Sequence, residues 1–236
     1  MFGFDPVLLV LVIGFGILGF LVSNRLKSVF AKYEKMPLSS GLTGAQVAQK
    51  MLTDNNIYDV TVESTPGKLT DHYNPANKTV NLSPEVYNGR NVSAAAVAAH
   101  ECGHAVQHAT AYSMLQLRSA LVPLQNASGK IINAIVMISI FGGYFLYSAL
   151  PFNLILYVII AAYAVITLFS MVTLPVEFDA SNRALVWIKQ NGVVNSTEYN
   201  HARDALKWAA MTYVVAALGS LVMLVYYISL LAGNRD

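Results

Sequence analysis

The placement of charge limits this chain more than any other feature. Between Lys130 and Glu177 lie 46 consecutive residues without Asp, Glu, Lys or Arg. As one straight helix that run would be about 69 Å long, more than twice a hydrocarbon core of about 30 Å. It must therefore fold back on itself, and Pro151 with Asn153 marks the turn. A further 19 uncharged residues separate Asp5 from Arg25, and 27 separate Lys207 from Arg235. Each is long enough for one span. The expectation is a mainly α membrane protein with transmembrane helices over 6–24, 131–150, 152–174 and 208–232. Composition agrees, with 12% charged residues against about 25% in a soluble domain. A net charge of +2 without any basic or acidic run excludes nucleic acid as an expected partner, leaving the lipid bilayer. The single cysteine, Cys102, rules out an internal disulfide.

Asp5 precedes the first apolar run, and Arg25, Lys27, Lys32 and Lys35 follow it. A cleaved leader has the opposite order, so the run reads as a retained anchor with its basic flank in the cytoplasm. Counting spans from there puts 25–129 and 175–207 in the cytoplasm and the turn near Pro151 outside. The first of these segments reads as a small α+β unit. Thr43 caps a helix over "GAQVAQKMLTDNN", "YDVTVES" alternates as a strand, and "KLTDHYN" with "KTVNLS" forms a hairpin. Ser83-Pro84 starts a short helical turn, and Ser93 opens an Ala-rich helix running toward Tyr112. The stretch "SMLQLRSALVPLQNASGK" fits either a helix on the membrane surface or an ordinary packed one.

The Ala-rich helix carries His100-Glu101-Cys102-Gly103-His104. Positions four apart lie about 40° from each other around a helix, one turn up, so both imidazoles can reach one tetrahedral Zn²⁺. Glu101, one step round, can act as general base on a water in the open coordination position. Cys102 lies about 200° round from His100 and points away.

A catalytic zinc needs a third protein ligand. His72, Asp71, Glu85, His108, Glu177, Asp179, Glu198 and His201 are the candidates. His108 drifts to about 80° from His100. Metzincins place their third histidine where this chain has Thr110. Glu177 is the best choice: the two preceding spans return it to the face of His100, and Pro175 would start a helix whose first turn favours a carboxylate.

With these residues in place, "HECGHAVQHA" and "LPVEFDASNRAL", preceded by "GLTGAQVAQKML" and "LTDHYNPANKTVNLSPEVYNGRNVSAAAVAAHE", resemble the YugP-type membrane neutral zinc metallopeptidases. These are similar to the heat-shock and prenyl-protease-like membrane gluzincins. The resemblance covers nearly the whole chain from about Gly41. It implies a zincin-like domain in a multi-pass bacterial cell membrane protein, with zinc on His100, His104 and Glu177 and Glu101 as base. In the wider gluzincin group an Asp four residues after the ligand Glu supports a zinc histidine; here Ser181 stands there, leaving Asp179 or Asn182 for that task.

The expected function is a membrane-embedded zinc metalloendopeptidase cutting peptide or membrane-protein substrates, including misfolded ones. Tyr73, His72, Arg183 and His201 are candidates to stabilise the oxyanion. The "KTVNLS" strand offers an edge for an extended peptide. The alternative is a non-catalytic scaffold with a structural zinc site. A Glu at the base position favours catalysis, since a structural site has no use for it.

Overall fold

The computed structural model describes residues 5–233, with residues 143–148 described by backbone only. It is mainly helical, in the order α1 (Pro6–Glu34), α2 (Gly44–Asp54), β1 (Thr61–Ser64), β2 (His72–Asn74), β3 (Thr79–Leu82), α3 (Pro84–Asn88), α4 (Val92–Ala109), α5 (Ser113–Ala149), α6 (Phe152–Gln190) and α7 (Ser196–Gly233). Four helices, α1, α5 up to Gly142, α6 and α7, are long and apolar enough to cross a membrane. The chain divides into two compact units, one of 1–20, 117–174 and 213–236, the other of 21–116 and 175–212.

The first unit is built from apolar helical stretches, many of whose large side chains face outward, while Ile155, Leu156 and Ile159 of α6 are buried. Val10 of α1 and Phe141 of α5 are 69% and 80% exposed. Among the described residues none covers the greater part of either, so hydrocarbon is the solvent that fits. Within this unit Tyr163 stacks on Tyr227 with ring centroids 5.4 Å apart. Gly219 lets α7 approach the Phe15 ring, which a Cβ would meet at 3.3 Å.

The second unit has an ordinary core. Val47, Met51 and Leu52 of α2 bury their face together with Val80 and Leu82 of β3 and the alanines of α4. Thr43 forms the expected capping box with Gln46 at the start of α2. β2 and β3 pair antiparallel as the expected hairpin, His72 opposite Asn81 and Asn74 opposite Thr79. β1 then pairs in parallel with β3, giving the order β1-β3-β2. The "KTVNLS" strand is thus the middle of the sheet and has no free edge for a peptide. The edges belong to β1 and β2.

Three helix boundaries differ from expectation. α4 starts at Val92, capped by the Asn91 side chain on the Ala94 N–H, while Ser93 lies inside and donates its hydroxyl to the Phe30 carbonyl. The 113–130 stretch is the first half of α5, continuous through Pro123. α6 also passes through Pro175, so Glu177 stands mid-helix and owes nothing to a helix N-terminus. One missing N–H removes a single rung of the ladder, and a strongly helical sequence on both sides carries the helix across it.

Candidate metal centre

α4 presents His100 and His104 one turn apart, with ring centroids 4.8 Å from each other and the rings nearly perpendicular. Glu177 of α6 faces both, its Oε2 lying 3.4 Å from His100 Nε2 and 3.6 Å from His104 Nε2. A charge-assisted N–H···O bond would be about 2.7–2.9 Å. Three ligands on one tetrahedral zinc at about 2.0–2.1 Å stand about 3.3–3.4 Å apart. The two carboxylate–imidazole distances are therefore close to those between ligands around an ion, all three donor atoms lie within 4.8 Å of one another, and two imidazole nitrogens with one carboxylate oxygen suit zinc.

The site is electrostatically tuned to keep the carboxylate ionised. Burial works against the charge on Glu177, but the two imidazoles facing it hold its carboxyl well below the usual range. Burial also opposes charge on His104, yet Glu177 and Glu101 together raise its pKa.

Each histidine is held from behind through Nδ1. His104 Nδ1 lies 3.0 Å from Gln107 Oε1, and His100 Nδ1 lies 3.1 Å from Ser181 Oγ. Gln107 is fully buried, and its amide donates to the Val176 carbonyl at 2.7 Å and to Asp179 Oδ2 at 2.8 Å. Its oxygen is left to accept, so the proton of neutral His104 sits on Nδ1 and the Nε2 lone pair points at the site. Arg183 Nε donates to Asp179 Oδ2 at 2.6 Å and completes the chain.

Gly103 explains how α6 comes close enough. A Cβ there would stand 2.5 Å from the Ala180 carbonyl oxygen, so only glycine lets the two backbones meet beside the histidines. Glu101 is buried, and its Oε2 accepts the Tyr73 N–H at 3.0 Å. That N–H is consequently turned away from β3, toward the outer edge of β2. The Tyr73 hydroxyl lies 2.8 Å from His108 Nδ1.

The family described as "Putative neutral zinc metallopeptidase" matches residues 8–232. The chain belongs to this family. It is 43% identical over 221 residues to the "Putative membrane protease YugP" of Bacillus subtilis (strain 168), covering 93% of this chain and 94% of that one. No solved structure matches it.

In this member of the family the structure brings together His100, His104 and Glu177 and leaves the other ligand candidates elsewhere. His72 is exposed beside the Thr70 carbonyl, and Asp71 accepts from the Ser83 backbone and hydroxyl. Glu198 accepts from Ser39, and His201 stacks on Tyr33 at 4.7 Å. Of the candidates for supporting a histidine, Asp179 acts through Gln107, whereas Asn182 is exposed. The side chains that do touch the imidazoles are Gln107 and Ser181. Sequence reasoning left Gln107 out, although its place three residues after His104 on one helix face was a usable signal. Cys102 is buried with its thiol on the Ala48 carbonyl, and burial drives its pKa far up, which makes it inert.

Proposed function

We propose that this chain is a membrane-embedded zinc metalloendopeptidase of the gluzincin type, with His100, His104 and Glu177 as metal ligands and Glu101 as general base. The observation that carries the reading is the ligand-like spacing of the three donor atoms with a buried carboxylate one residue from His100. Zinc held there would supply Lewis-acid polarisation and lower the pKa of water toward about 7. Glu101 accepts the proton of the attacking water and returns it to the leaving amine. The Tyr73 N–H holds one oxygen of Glu101, leaving Oε1 for the proton. Gln107 and Ser181 keep both imidazoles oriented. An extended peptide would lie along the outer edge of β2 rather than beside β3, because that edge runs beside Glu101, and the Tyr73 N–H, already given to Glu101, would take no part in the pairing. The substrates would be membrane or misfolded proteins cut near the cytoplasmic face, the side assigned by the basic flank Arg25–Lys35.

The test is zinc content and peptide turnover of the purified full-length protein. Glu101→Gln should keep its zinc and lose about 10²–10⁴-fold in turnover. Glu177→Ala should lose zinc, and His108→Ala should keep it. Turnover by Glu101→Gln equal to wild type, with zinc bound in both, would sink the mechanism. Zinc retained in Glu177→Ala but lost in His108→Ala would sink the ligand set. Probes at Lys35 and Pro151 in a Cys102-free variant test sidedness: only the Pro151 probe should label from outside intact cells.

A further inference from the structure

α1 continues past its apolar run, and its last turns form one wall of a cavity of about 540 Å³ that the metal site does not use. The size is within the range of small-molecule sites. Lys27, Phe30 and Glu34 of α1 line one side, and Lys68, Leu69 and Glu85 line the other. Lys27 stands three residues beyond Asn24, the end of the uncharged run, hence about 4.5 Å further along the helix axis. The headgroup layer on each side of a bilayer is about 5–8 Å thick, so Lys27 lies at headgroup depth. From there the cavity rises two helical turns, about 10 Å, to Glu34.

The chemistry of the walls is balanced. Two ammonium groups and two carboxylates face the space, all four on exposed side chains, and none has an ion-pair partner among the described residues. Phe30 and Leu69 add apolar wall. Leu69 adopts a left-handed backbone, φ 59°, and is 45% exposed, in a loop where Gly67 also has positive φ. A bulky residue in that conformation is a genuine outlier, and here it places an apolar side chain on the rim of the cavity.

We propose that this cavity takes the headgroup of a zwitterionic, amine-bearing membrane phospholipid, an ethanolamine lipid. Lys27 and Lys68 face its phosphate, Glu34 and Glu85 its ammonium, and Phe30 and Leu69 the ethanolamine methylenes between them. A purely anionic lipid would leave the carboxylates repelled. A choline lipid would offer no N–H donors to them. The proposal is independent of proteolysis.

Native mass spectrometry of the full-length protein, exchanged into equal mixtures of ethanolamine, glycerol and choline phospholipids, reads the preference directly. Wild type should retain the ethanolamine lipid in excess of the other two. Lys27→Ala with Lys68→Ala should lower that retention about thirtyfold, and Lys→Arg at both positions should restore it. Glu34→Gln with Glu85→Gln should turn the preference toward the anionic glycerol lipid. Thermal melts and zinc content of these variants should match wild type. Equal retention of all three lipids by wild type, or unchanged selectivity in the Glu variants, would overturn the site. Displacement of the lipid by soluble glycerophosphoethanolamine would show a solute site, and displacement by an unfolded peptide a peptide site; either replaces the lipid assignment.

Discussion

The first four turns of α1 and the middle of α4 are both apolar helix, yet they are made from different residues. α1 uses Val, Leu, Ile and Phe, and they face outward, Phe20 at 65% exposure. α4 uses Ala and Gly around His100 and His104, and nearly all of them are buried. Large side chains suit a surface whose solvent is hydrocarbon, where bulk meets no protein backbone. Small side chains let one backbone approach another, as Gly103 does with Ala180, and only that approach brings a carboxylate to two imidazoles. Hydrophobicity alone does not separate these two jobs; side-chain volume does. The buried helix can also carry Glu101, His104 and Gln107, because each finds a polar partner there.

The contrast is broken most directly by deleting equal volumes from the two regions. Leu52→Ala in the buried core should destabilise by about 2–5 kcal/mol in chemical denaturation in detergent. Leu9→Ala on the exposed face of α1 should stay within about 0.5 kcal/mol. Equal losses would mean that α1 is covered by protein. A finer version uses glycine. Gly103→Val should cost about 1–3 kcal/mol and lower zinc content, since the new side chain collides with the Ala180 carbonyl. Gly129→Ala on α5, where nothing lies within 4 Å, should gain about 0.5–1 kcal/mol.

How far the sequence revealed these two regions follows from the range of the interactions involved. Local signals were legible: charge-free runs gave the four long apolar helices, Thr43 with Gln46 gave the α2 cap, and the i, i+4 spacing placed both histidines on one face. Signals that depend on distant neighbours were not. The alternation of "YDVTVES" marked β1 as a strand, but its parallel pairing with β3, with β2 intervening in sequence, is not a local signal. Pro175 carries the local mark of a helix start, but the ladder on both sides overrides it. The i, i+3 spacing of His104 and Gln107 was legible within α4, but the Ser181 contact and the bonds that orient Gln107 exist only once α4 and α6 touch at Gly103, which no spacing within one helix reports.

Gln107 sharpens the contrast at the level of the site. Gln107→Leu keeps volume and burial but removes the acceptor for His104 Nδ1 and the donors to Val176 and Asp179. Zinc affinity should fall about 10–100-fold, with the melting temperature of the zinc-free protein changed far less than by Leu52→Ala. Unchanged affinity would show that His104 holds its tautomer without help. Asp179 keeps Arg183 as its donor, but the Val176 carbonyl loses its side-chain donor, which adds a penalty of about 1–3 kcal/mol if no water replaces it. Gln107→Asn, too short to span both partners, should therefore also weaken zinc.

The smallest expected effect is a pH dependence that separates buried from exposed histidine. Burial disfavours the charged form of His104, but Glu177 and Glu101 outweigh it and raise the pKa above the ordinary 6.5. Without metal, His104 thus keeps its proton to a higher pH than a free imidazole does. That proton stabilises the metal-free fold at low pH, and the stabilisation is lost as pH rises through the raised pKa. Zinc needs the neutral ring, so its affinity should begin to weaken on acidification already above pH 6.5, by no more than about tenfold per unit for one competing proton. Glu177, held well below the usual carboxylate range, stays ionised throughout and adds nothing to the slope near neutrality. Glu101→Gln removes one of the charges that raise His104, so its zinc release should move to lower pH than wild type. Zinc titrations of both proteins between pH 5 and pH 8 measure the order of the two midpoints. A Glu101→Gln midpoint at or above that of wild type would mean that Glu101 does not act on His104 and that Glu177 carries the shift.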